Sequence, residues 1–343
     1  QGTMLVEDTL LALQDLAREW RRELGLPIIG ITGTNGKTTT KELLATVLST
    51  KYKLHYTQGN LNNQIGVPLT LLQISRAHEM AIVEMGASHP GDIKELVDIA
   101  EPNCGLITNV GRAHLEGFGS FEGVQQTKKE LYDYLRENQG FIFRNTDNLY
   151  LAQMAGDLQT VPYTTGTMPN GTNLVGSYNA DNVMAAIAVG AQFGVSFDEA
   201  IAAIAAYVPS NNRSQMVRTK HNTLIVDAYN ANPTSMEAAL KNFAVLQAER
   251  KAVLLGDMLE LGEDSLSEHI RIASMALESG FETVCFVGSE FRNALGQLSD
   301  PRALVFDTSS ELAAWLADHP LTEFSCLIKG SRGTRMEKVI EML

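Results

Sequence analysis

The chain has 343 residues, of which 44% are hydrophobic and 20% are charged, an ordinary composition for a globular protein and enough chain for two domains. Its 27 Lys and Arg residues against 40 Asp and Glu residues give a net charge of -13, so the surface repels a polyphosphate backbone and we expect no nucleic-acid partner. Small phosphorylated ligands stay possible, because they need only a few backbone N–H groups, a lysine and metal ions.

The three cysteines, Cys104, Cys285 and Cys326, are scattered and show no CxxC spacing. This pattern predicts neither a disulfide framework nor a zinc site, and it favours the reducing cytoplasm as the location. No apolar run approaches the roughly 20 residues that a bilayer crossing needs, so we expect no membrane insertion. We also expect a monomer.

The first predicted elements are a helix, a strand, a glycine loop and a second helix. Residues 7–24 have apolar side chains at helical spacing, with Asp8 or Thr9 as a plausible N-cap. A short apolar run at 26–31 then leads into a glycine-containing loop and a helix over 37–48. A strand, glycine loop and helix in this order are typical of the start of a nucleotide-binding α/β domain.

The same pattern continues with apolar runs at 80–84 and 104–110, separated by a predicted helix over 92–99. Parallel strands with crossover helices fit this alternation best. Because parallel strands end at one edge of a sheet, the loops at 33–35, 84–86 and 109–114 should converge in one crevice.

A second domain is predicted to follow helices over 180–193 and 198–207 and a linker at 209–212. It contains five apolar runs that alternate with helical segments, at 223–227, 252–255, 283–287, 303–306 and 326–329. We therefore predict an α/β protein with a P-loop-type, mostly parallel sheet domain over 1–208 and a smaller Rossmann-like α/β domain over 209–343.

The glycine loop is an incomplete match to the phosphate-binding pattern G-x-x-x-x-G-K-[ST], because Ile31 occupies the place of the first glycine. Gly33 and Gly36 allow the backbone to curl around a phosphate, Lys37 can reach the terminal phosphates, and Thr38 can bind Mg²⁺. The helix that starts near Lys37 adds its positive dipole end. The alternative is a plain glycine turn between a strand and a helix.

Two further side chains are candidates for a metal site. Glu84 ends an apolar strand, where its carboxylate can hold Mg²⁺, although a glutamate at a strand end is also often merely solvated. His114 lies in the loop after the next predicted strand, and a lone histidine is usually structural or exposed. His114 therefore becomes a candidate only through its predicted neighbours.

Over the loop at 31–40 the chain resembles the Mur ligases, which extend the peptide stem of the cell-wall precursor. Further segments are similar to the branch of that family that adds D-alanyl-D-alanine, and the resemblance covers nearly the whole chain. These segments are 59–68, 84–87, 108–116, 227–233, 256–262 and 329–332.

The resemblance implies an ATP site with two Mg²⁺ ions. The loop residues implied to bind ATP are Gly33, Thr34, Asn35, Gly36, Lys37, Thr38 and Thr39. Thr38 and Glu84 would serve one Mg²⁺, and His114 and a carbamylated Lys128 the second, with Lys37, His114 and Lys128 as catalytic residues. Lys128 matches the family pattern K-x-x-[aliphatic]-[aromatic], and its neighbour Lys129 does not; from the sequence alone both read as a solvated helix face.

Other residues are assigned by the same resemblance. Asn179 and Asn182 match a motif for the adenine side of ATP, and would otherwise read as helix N-caps. Arg213 and Asp227 match contacts to an ATP phosphate and to the ribose. The remaining candidates for substrate contacts are Asn60, Asn62, Asn63, Asn230, Asn232, Lys329 and Arg332.

The implied reaction joins D-alanyl-D-alanine to UDP-N-acetylmuramoyl-tripeptide through an acyl phosphate, as a step in peptidoglycan synthesis, and consumes ATP. The alternatives are another ligase of the superfamily, one that adds an earlier stem residue or one of the folylpolyglutamate synthase type, and a truncated ATP-binding fragment without turnover. The family has an additional N-terminal domain that binds UDP, and we expect this chain to be without it, because the phosphate loop follows one helix from the start.

Overall fold

A computed structural model of the chain describes residue 3 and residues 5–169, 171–209, 212–298 and 300–343. Its contacts define two compact units. The first contains the described residues of 1–111, 117–170 and 180–205, and the second those of 112–116, 171–179 and 206–343. The predicted boundary between residues 208 and 209 stays a prediction, and Ser210 and Asn211 of the predicted linker lie outside the described residues.

The first unit is built on a parallel sheet. Its described strands are β1 (Ile28–Thr32), β2 (Leu54–Tyr56), β3 (Met80–Glu84), β4 (Cys104–Ile107), β5 (Phe141–Asn145) and β6 (Thr160–Tyr163). They are ordered β2-β3-β1-β4-β5-β6, and each neighbouring pair is parallel. All residues of β1, β3 and β4 are buried, as expected for strands that are covered on both faces, which explains why they read as continuous apolar runs.

Helices connect these strands. They are α1 (Thr9–Leu24), α2 (Lys37–Leu48), α3 (Gly66–Leu72), α4 (Asp92–Ala100), α5 (Leu115–Phe118), α6 (Phe121–Glu137), α7 (Leu149–Ala155), α8 (Asn179–Gln192) and α9 (Phe197–Ala206). The helix predicted over 37–48 is observed at those bounds, and that predicted over 92–99 is α4.

Helix α1 is observed where a helix was predicted, but its buried face is not made of the apolar side chains alone. The side chain of Asp8 caps it by accepting the N–H groups of the second and third helical residues. Leu16 is nevertheless 56% exposed, whereas Gln14 and Arg21 are buried. Both polar side chains are satisfied by hydrogen bonds, Gln14 to the Glu95 carboxylate at 2.7 Å and Arg21 to backbone carbonyls, so burial costs them little.

The second unit contains a mixed sheet. Its described strands are β7 (Gln215–Arg218), β8 (Thr223–Asp227), β9 (Arg250–Gly256), β10 (Thr283–Val287), β11 (Ala303–Phe306) and β12 (Phe324–Lys329). The order is β11-β10-β9-β12-β8-β7, and only β7 is antiparallel to its neighbour among these described strands. This arrangement confirms the predicted fold class.

In the sequence, the α-helices of the second unit alternate with its parallel strands. They are α10 (Pro233–Val245), α11 (Ser265–Glu278), α12 (Ser289–Leu298) and α13 (Ser309–Asp318), with short 3-10 helices at Gly262–Asp264, Arg332–Thr334 and Met336–Met342. The three cysteines are free and buried. None of the helices in the described part of the chain combines the length and apolarity that a membrane crossing needs.

Candidate nucleotide site

The glycine loop follows the central strand β1 of the first sheet. Strand β1 lies between β3 and β4, with Ile31 opposite Glu84 and Thr32 opposite Ile107. The carboxyl ends of the three strands therefore adjoin, which is where open α/β sheets bind their ligands. The predicted convergence of these strand ends is confirmed.

The loop is held in place by the segment that follows β4. The N–H groups of Thr34 and Asn35 donate to the backbone oxygen and the Oδ1 of Asn109, at 2.9 and 3.0 Å. In return, Thr108 Oγ1 donates to the carbonyl of Asn35 at 2.6 Å, and the N–H of Gly111 donates to Thr34 Oγ1 at 3.0 Å. Both sides of the loop are thus fixed before a ligand binds, which lowers the entropy cost of binding.

Two glycines of the loop are required by their surroundings. Gly33 has φ +142°, and a Cβ there would lie 2.0 Å from Thr108 Oγ1. Gly36 has φ +80°, and a Cβ there would lie 2.6 Å from Asn182 Oδ1, which also accepts a hydrogen bond from Thr40 Oγ1 at 3.0 Å. Asn182 therefore lies directly beside the loop, as expected for a residue that contributes to a nucleotide site.

Helix α2 begins at Lys37, and its N-cap residue is Gly36, which has no side chain that could cap the helix. A helix start of this kind is suited to an anion, because its N–H groups and dipole face the same point. The Lys37 ammonium donates to the carbonyls of Gly33 and Thr34, at 2.6 and 3.1 Å, and so lies against the loop. Thr38 and Thr39 are buried in the first turn of the helix.

Glu84 is a buried carboxylate beside the first turn of α2. It is 2% exposed, and its Oε1 accepts hydrogen bonds from Thr38 Oγ1 at 3.2 Å and from Asn62 Nδ2 at 2.8 Å. Its Oε2 is buried and has no hydrogen-bond partner within the described part of the chain. A buried carboxylate oxygen without a partner is costly, and a bound cation would satisfy it.

Lys128 and Lys129 have opposite environments on helix α6. Lys128 is 2% exposed and its Nζ lies 5.2 Å from the centre of the Phe118 ring, whereas Lys129 is paired with Asp133 at 2.5 Å and partly exposed. Burial, reinforced by the charge of Lys37, lowers the pKa of Lys128 well below its usual value, although Asp92 and Glu130 act against this shift. This shift favours the neutral form of the Lys128 amine over the charged form.

The predicted substrate residues Asn60, Asn62 and Asn63 lie between β2 and α3. Asn60 is exposed, and its carbonyl accepts the N–H of Asn62 at 2.8 Å. Asn63 Oδ1 accepts the N–H of Gly66 at 2.9 Å, so this side chain shapes the start of α3. Of the three, Asn62 is placed at the candidate site, through its hydrogen bond to Glu84.

His114 is grouped with the second unit. Its backbone has φ 51°, and its imidazole Nδ1 pairs with the Glu260 carboxylate. Both side chains line a cavity of about 180 Å³. The other residues around this cavity are Ala113, Asn230, Ala231, Asn232, Leu259, Ser331, Arg332 and Gly333.

Asp227 and Lys329 form an ion pair at the ends of β8 and β12, with Lys329 Nζ 2.5 Å from Asp227 Oδ2; Lys329 is buried and Asp227 is half-buried. The same ammonium donates to the carbonyl of Asn230 at 3.2 Å. Asn232 is the N-cap of α10 in a reciprocal capping box with Ser235, which gives this predicted substrate residue a structural role of its own.

Two of the predicted cationic residues contact Tyr229. The guanidinium of Arg213 lies 3.8 Å from the centre of the Tyr229 ring, and that of Arg332 lies 5.3 Å from it. A guanidinium nitrogen of Arg332 also lies 3.4 Å from the Tyr229 hydroxyl. Asn179 lies at the start of α8, where its Nδ2 donates to the carbonyl of Val175 at 2.7 Å.

Sequence reasoning did not select Lys41 and Thr57, two fully buried residues. Thr57 Oγ1 accepts the N–H of Glu84, and Lys41 donates to the carbonyl of Thr57. A signal for Lys41 was present, because it follows Lys37 by four residues on a helix and so lies on the same face. No sequence signal marks Thr57. Among the described residues, no three or more His, Cys, Asp and Glu side chains form a group that could hold a metal ion.

Comparison with known families gives two matches. Residues 31–167 match the Mur ligase middle domain, and residues 212–332 match the Mur ligase glutamate ligase domain. Among curated relatives, the UDP-N-acetylmuramoyl-tripeptide–D-alanyl-D-alanine ligase of Bacillus subtilis (strain 168) is 34% identical, over 100% of this chain and 81% of the relative. The ligase of the same name from Escherichia coli (strain K12) is 32% identical, over 99% and 82%.

Solved structures agree with these matches. MurF from Acinetobacter baumannii has a TM-score of 0.88 and 30% identity, covering 98% of this chain and 81% of that one. The MurF ligase of Thermotoga maritima in complex with ADP also has a TM-score of 0.88, at 27% identity, covering 100% and 86%. Folylpolyglutamate synthase of Mycobacterium tuberculosis, at 16% identity and a TM-score of 0.74, shares the fold alone.

Proposed function

Because this chain belongs to the Mur ligase family, in the branch of the UDP-N-acetylmuramoyl-tripeptide–D-alanyl-D-alanine ligases, we propose that it is an ATP-dependent peptide ligase that adds D-alanyl-D-alanine to UDP-N-acetylmuramoyl-tripeptide. The observation that carries the proposal is the pinned glycine loop at the start of α2, beside the buried Glu84 carboxylate. The three free cysteines and the use of ATP suit a cytoplasmic enzyme.

The proposed reaction has two steps. The tripeptide carboxylate attacks the γ-phosphorus of ATP, so that a P–O bond forms and ADP leaves with the electrons of the broken bond. The D-alanyl-D-alanine amine then attacks the acyl carbon, phosphate leaves, and the nitrogen loses a proton. The chain contributes mainly by positioning the reactants and by neutralising their charge, as in phosphoryl transfer generally.

The loop and Lys37 handle the phosphates. The amides at the start of α2 and the fixed backbone of Gly33 to Gly36 hold the triphosphate in one orientation. Lys37 leaves the carbonyls of Gly33 and Thr34, which it contacts here, and neutralises the terminal phosphates that the carboxylate approaches. Without this cation, two anions would repel each other at the reacting centre.

The chain fits a Mg²⁺ ion at Thr38 and Glu84. The hydroxyl of Thr38 and the carboxylate of Glu84 are hard oxygen ligands, and Glu84 Oε2 is buried without a partner among the residues that the structure describes. When bound, Mg²⁺ supplies positive charge that offsets the repulsion between substrate carboxylate and triphosphate. Asn62 orients the carboxylate by donating to its other oxygen.

The chain also fits a carbamate at Lys128. A neutral, buried amine reacts readily with CO₂: its nitrogen bonds to the carbon and loses a proton, which turns the side chain into a carboxylate-like anion. The lowered pKa of Lys128 increases the share of neutral amine, and the Lys37 cation favours the anion that results. The role of His114 as a ligand of a second Mg²⁺ is proposed from the family resemblance.

Mass spectrometry of the reaction products tests the proposal. Incubation with ATP, Mg²⁺, UDP-N-acetylmuramoyl-tripeptide and D-alanyl-D-alanine should yield the UDP-linked pentapeptide, ADP and phosphate. Lys37→Ala should lower the rate by at least about 100-fold, because the terminal phosphates lose their cation. Lys53→Ala, at an exposed lysine directly before β2, is the matched control and should leave the rate unchanged. Product formation only with glutamate as the amine would favour the folylpolyglutamate-type alternative instead.

A further inference from the structure

Lys41 is a buried cation on helix α2. It is 0% exposed, and its Nζ donates to the carbonyl of Thr57 at 2.6 Å and lies 3.0 Å from Glu42 Oε1. Its ammonium also lies 5.5 Å from the centre of the Tyr56 ring. Burying a charge is costly, and an apolar side chain of similar length is often at least as stable in such a place. Packing alone therefore does not explain a lysine here.

The partner of Lys41 connects two strand ends of the first sheet. Thr57 is fully buried directly after β2. Its N–H donates to the carbonyl of Ile82 at 3.0 Å, and its Oγ1 accepts the N–H of Glu84 at 2.9 Å. Thr57 thus holds the backbone of Glu84 at the point where β3 ends.

We propose that Lys41 is a positioning residue for the Glu84 carboxylate, acting through Thr57. The ammonium fixes the carbonyl of Thr57, the hydroxyl of Thr57 fixes the N–H of Glu84, and the Glu84 carboxylate is thereby kept beside Thr38 Oγ1. This inference rests on the proposed function only in taking Thr38 and Glu84 as the metal-binding pair.

The contacts that link Lys41 to Glu84 through Thr57, here called the Lys41 path, are separate from the hydrogen bond of Asn62 to Glu84. Asn62 donates to the Oε1 atom of Glu84 and restrains the end of the side chain, whereas Thr57 restrains its backbone. The loss of either restraint should loosen the carboxylate. A carboxylate that samples several positions binds a cation more weakly, because the binding must then supply the ordering.

A metal-binding titration tests the inference without measuring turnover. Mn²⁺ replaces Mg²⁺ as the probe, and its binding to the full chain with ADP is followed by electron paramagnetic resonance. Lys41→Met should raise the dissociation constant by about 10-fold, and Thr57→Val by a similar factor. In the double variant the two losses should not add, because both act on the same path. Lys53→Met, which removes an exposed lysine, is the control and should bind Mn²⁺ as the wild type does.

Circular dichroism first establishes that each variant is folded, and Lys41→Gln replaces Lys41→Met if the methionine variant does not fold. A folded Lys41 variant that binds Mn²⁺ within about twofold of the wild type would overturn the inference, as would full additivity in the double variant. Failure of the wild type itself to bind Mn²⁺ with ADP would instead contradict the proposed metal pair. The two failures are therefore distinguishable.

Discussion

Glu84→Gln should make the protein more stable and inactive at the same time. The carboxylate is 2% exposed, its hydrogen-bond partners Thr38 and Asn62 are neutral, and Oε2 has no partner among the described residues. An unsatisfied buried polar atom costs about 1–3 kcal/mol. The amide of glutamine removes the buried charge and keeps an oxygen for the Thr38 and Asn62 donors, but it places an NH₂ group where Oε2 was. We therefore expect a net gain of about 1 kcal/mol in the free energy of unfolding, which is a rise in Tm of roughly 2–4 °C.

Calorimetry in buffer with a chelator and without nucleotide measures this gain, and the product assay measures the loss. The rate should fall by at least about 1,000-fold, since the Mg²⁺ site loses its charge. Glu137→Gln, an exposed glutamate on α6, should change neither quantity. A Tm lowered by several degrees would mean that the carboxylate stabilises the empty fold, and retained activity would mean that it holds no metal; either result refutes the reasoning.

Three further predictions concern the backbone, a helix cap and a titration. Gly33→Ala forces a Cβ to 2.0 Å from Thr108 Oγ1 and should raise the KM for ATP at least about 10-fold. Gly91 also has a positive φ, but a Cβ there would have no atom within 4 Å, so Gly91→Ala should lower stability without changing that KM. Equal effects of the two substitutions on the KM would contradict the steric argument. Asn232→Ala should lower the free energy of unfolding by about 1 kcal/mol in urea, and Asn232→Asp should restore it if capping is the reason. Because the pKa of Lys128 is lowered in the folded state, the unfolded state binds more protons between that pKa and 10.5, and stability should rise with pH in this window. Lys128→Met should flatten that rise in CO₂-free denaturant titrations, and an unchanged slope would show that the pKa of Lys128 is not lowered by folding.

Sequence patterns predicted several inner strands well because burial leaves a simple signal. β3, β8 and β10 are observed at their predicted bounds as short, largely buried apolar runs. β11 is also observed at its predicted bounds, although it is a half-buried edge strand. Four described strands, β2, β5, β6 and β7, were not predicted. β2 has three residues, and β7 is an edge strand with apolar residues at only its two middle positions. Their existence depends on pairing with a neighbour that a local pattern cannot show.

The parts of the candidate site that lie in one sequence motif or at a strand end were predictable. The parts that depend on contacts between distant segments were not. Lys37, Thr38 and Glu84 follow strand ends, and strand order alone brings them together. The charge pattern of helix α6 does not reveal that Lys128 is buried whereas Lys129 is partly exposed. The hydrogen bonds of Asn62 and Thr57 to Glu84 span 22 and 27 residues, and only the fold reveals them.

The dependence of phosphate release on both substrates tests the central proposal most directly. Phosphate is measured with ATP and Mg²⁺, first alone, then with UDP-N-acetylmuramoyl-tripeptide or D-alanyl-D-alanine separately, and then with both. A ligase that forms an acyl phosphate should release phosphate at its full rate only when both substrates are present, with one pentapeptide formed for each phosphate. A rate that is indifferent to both substrates would show an ATPase and contradict the account.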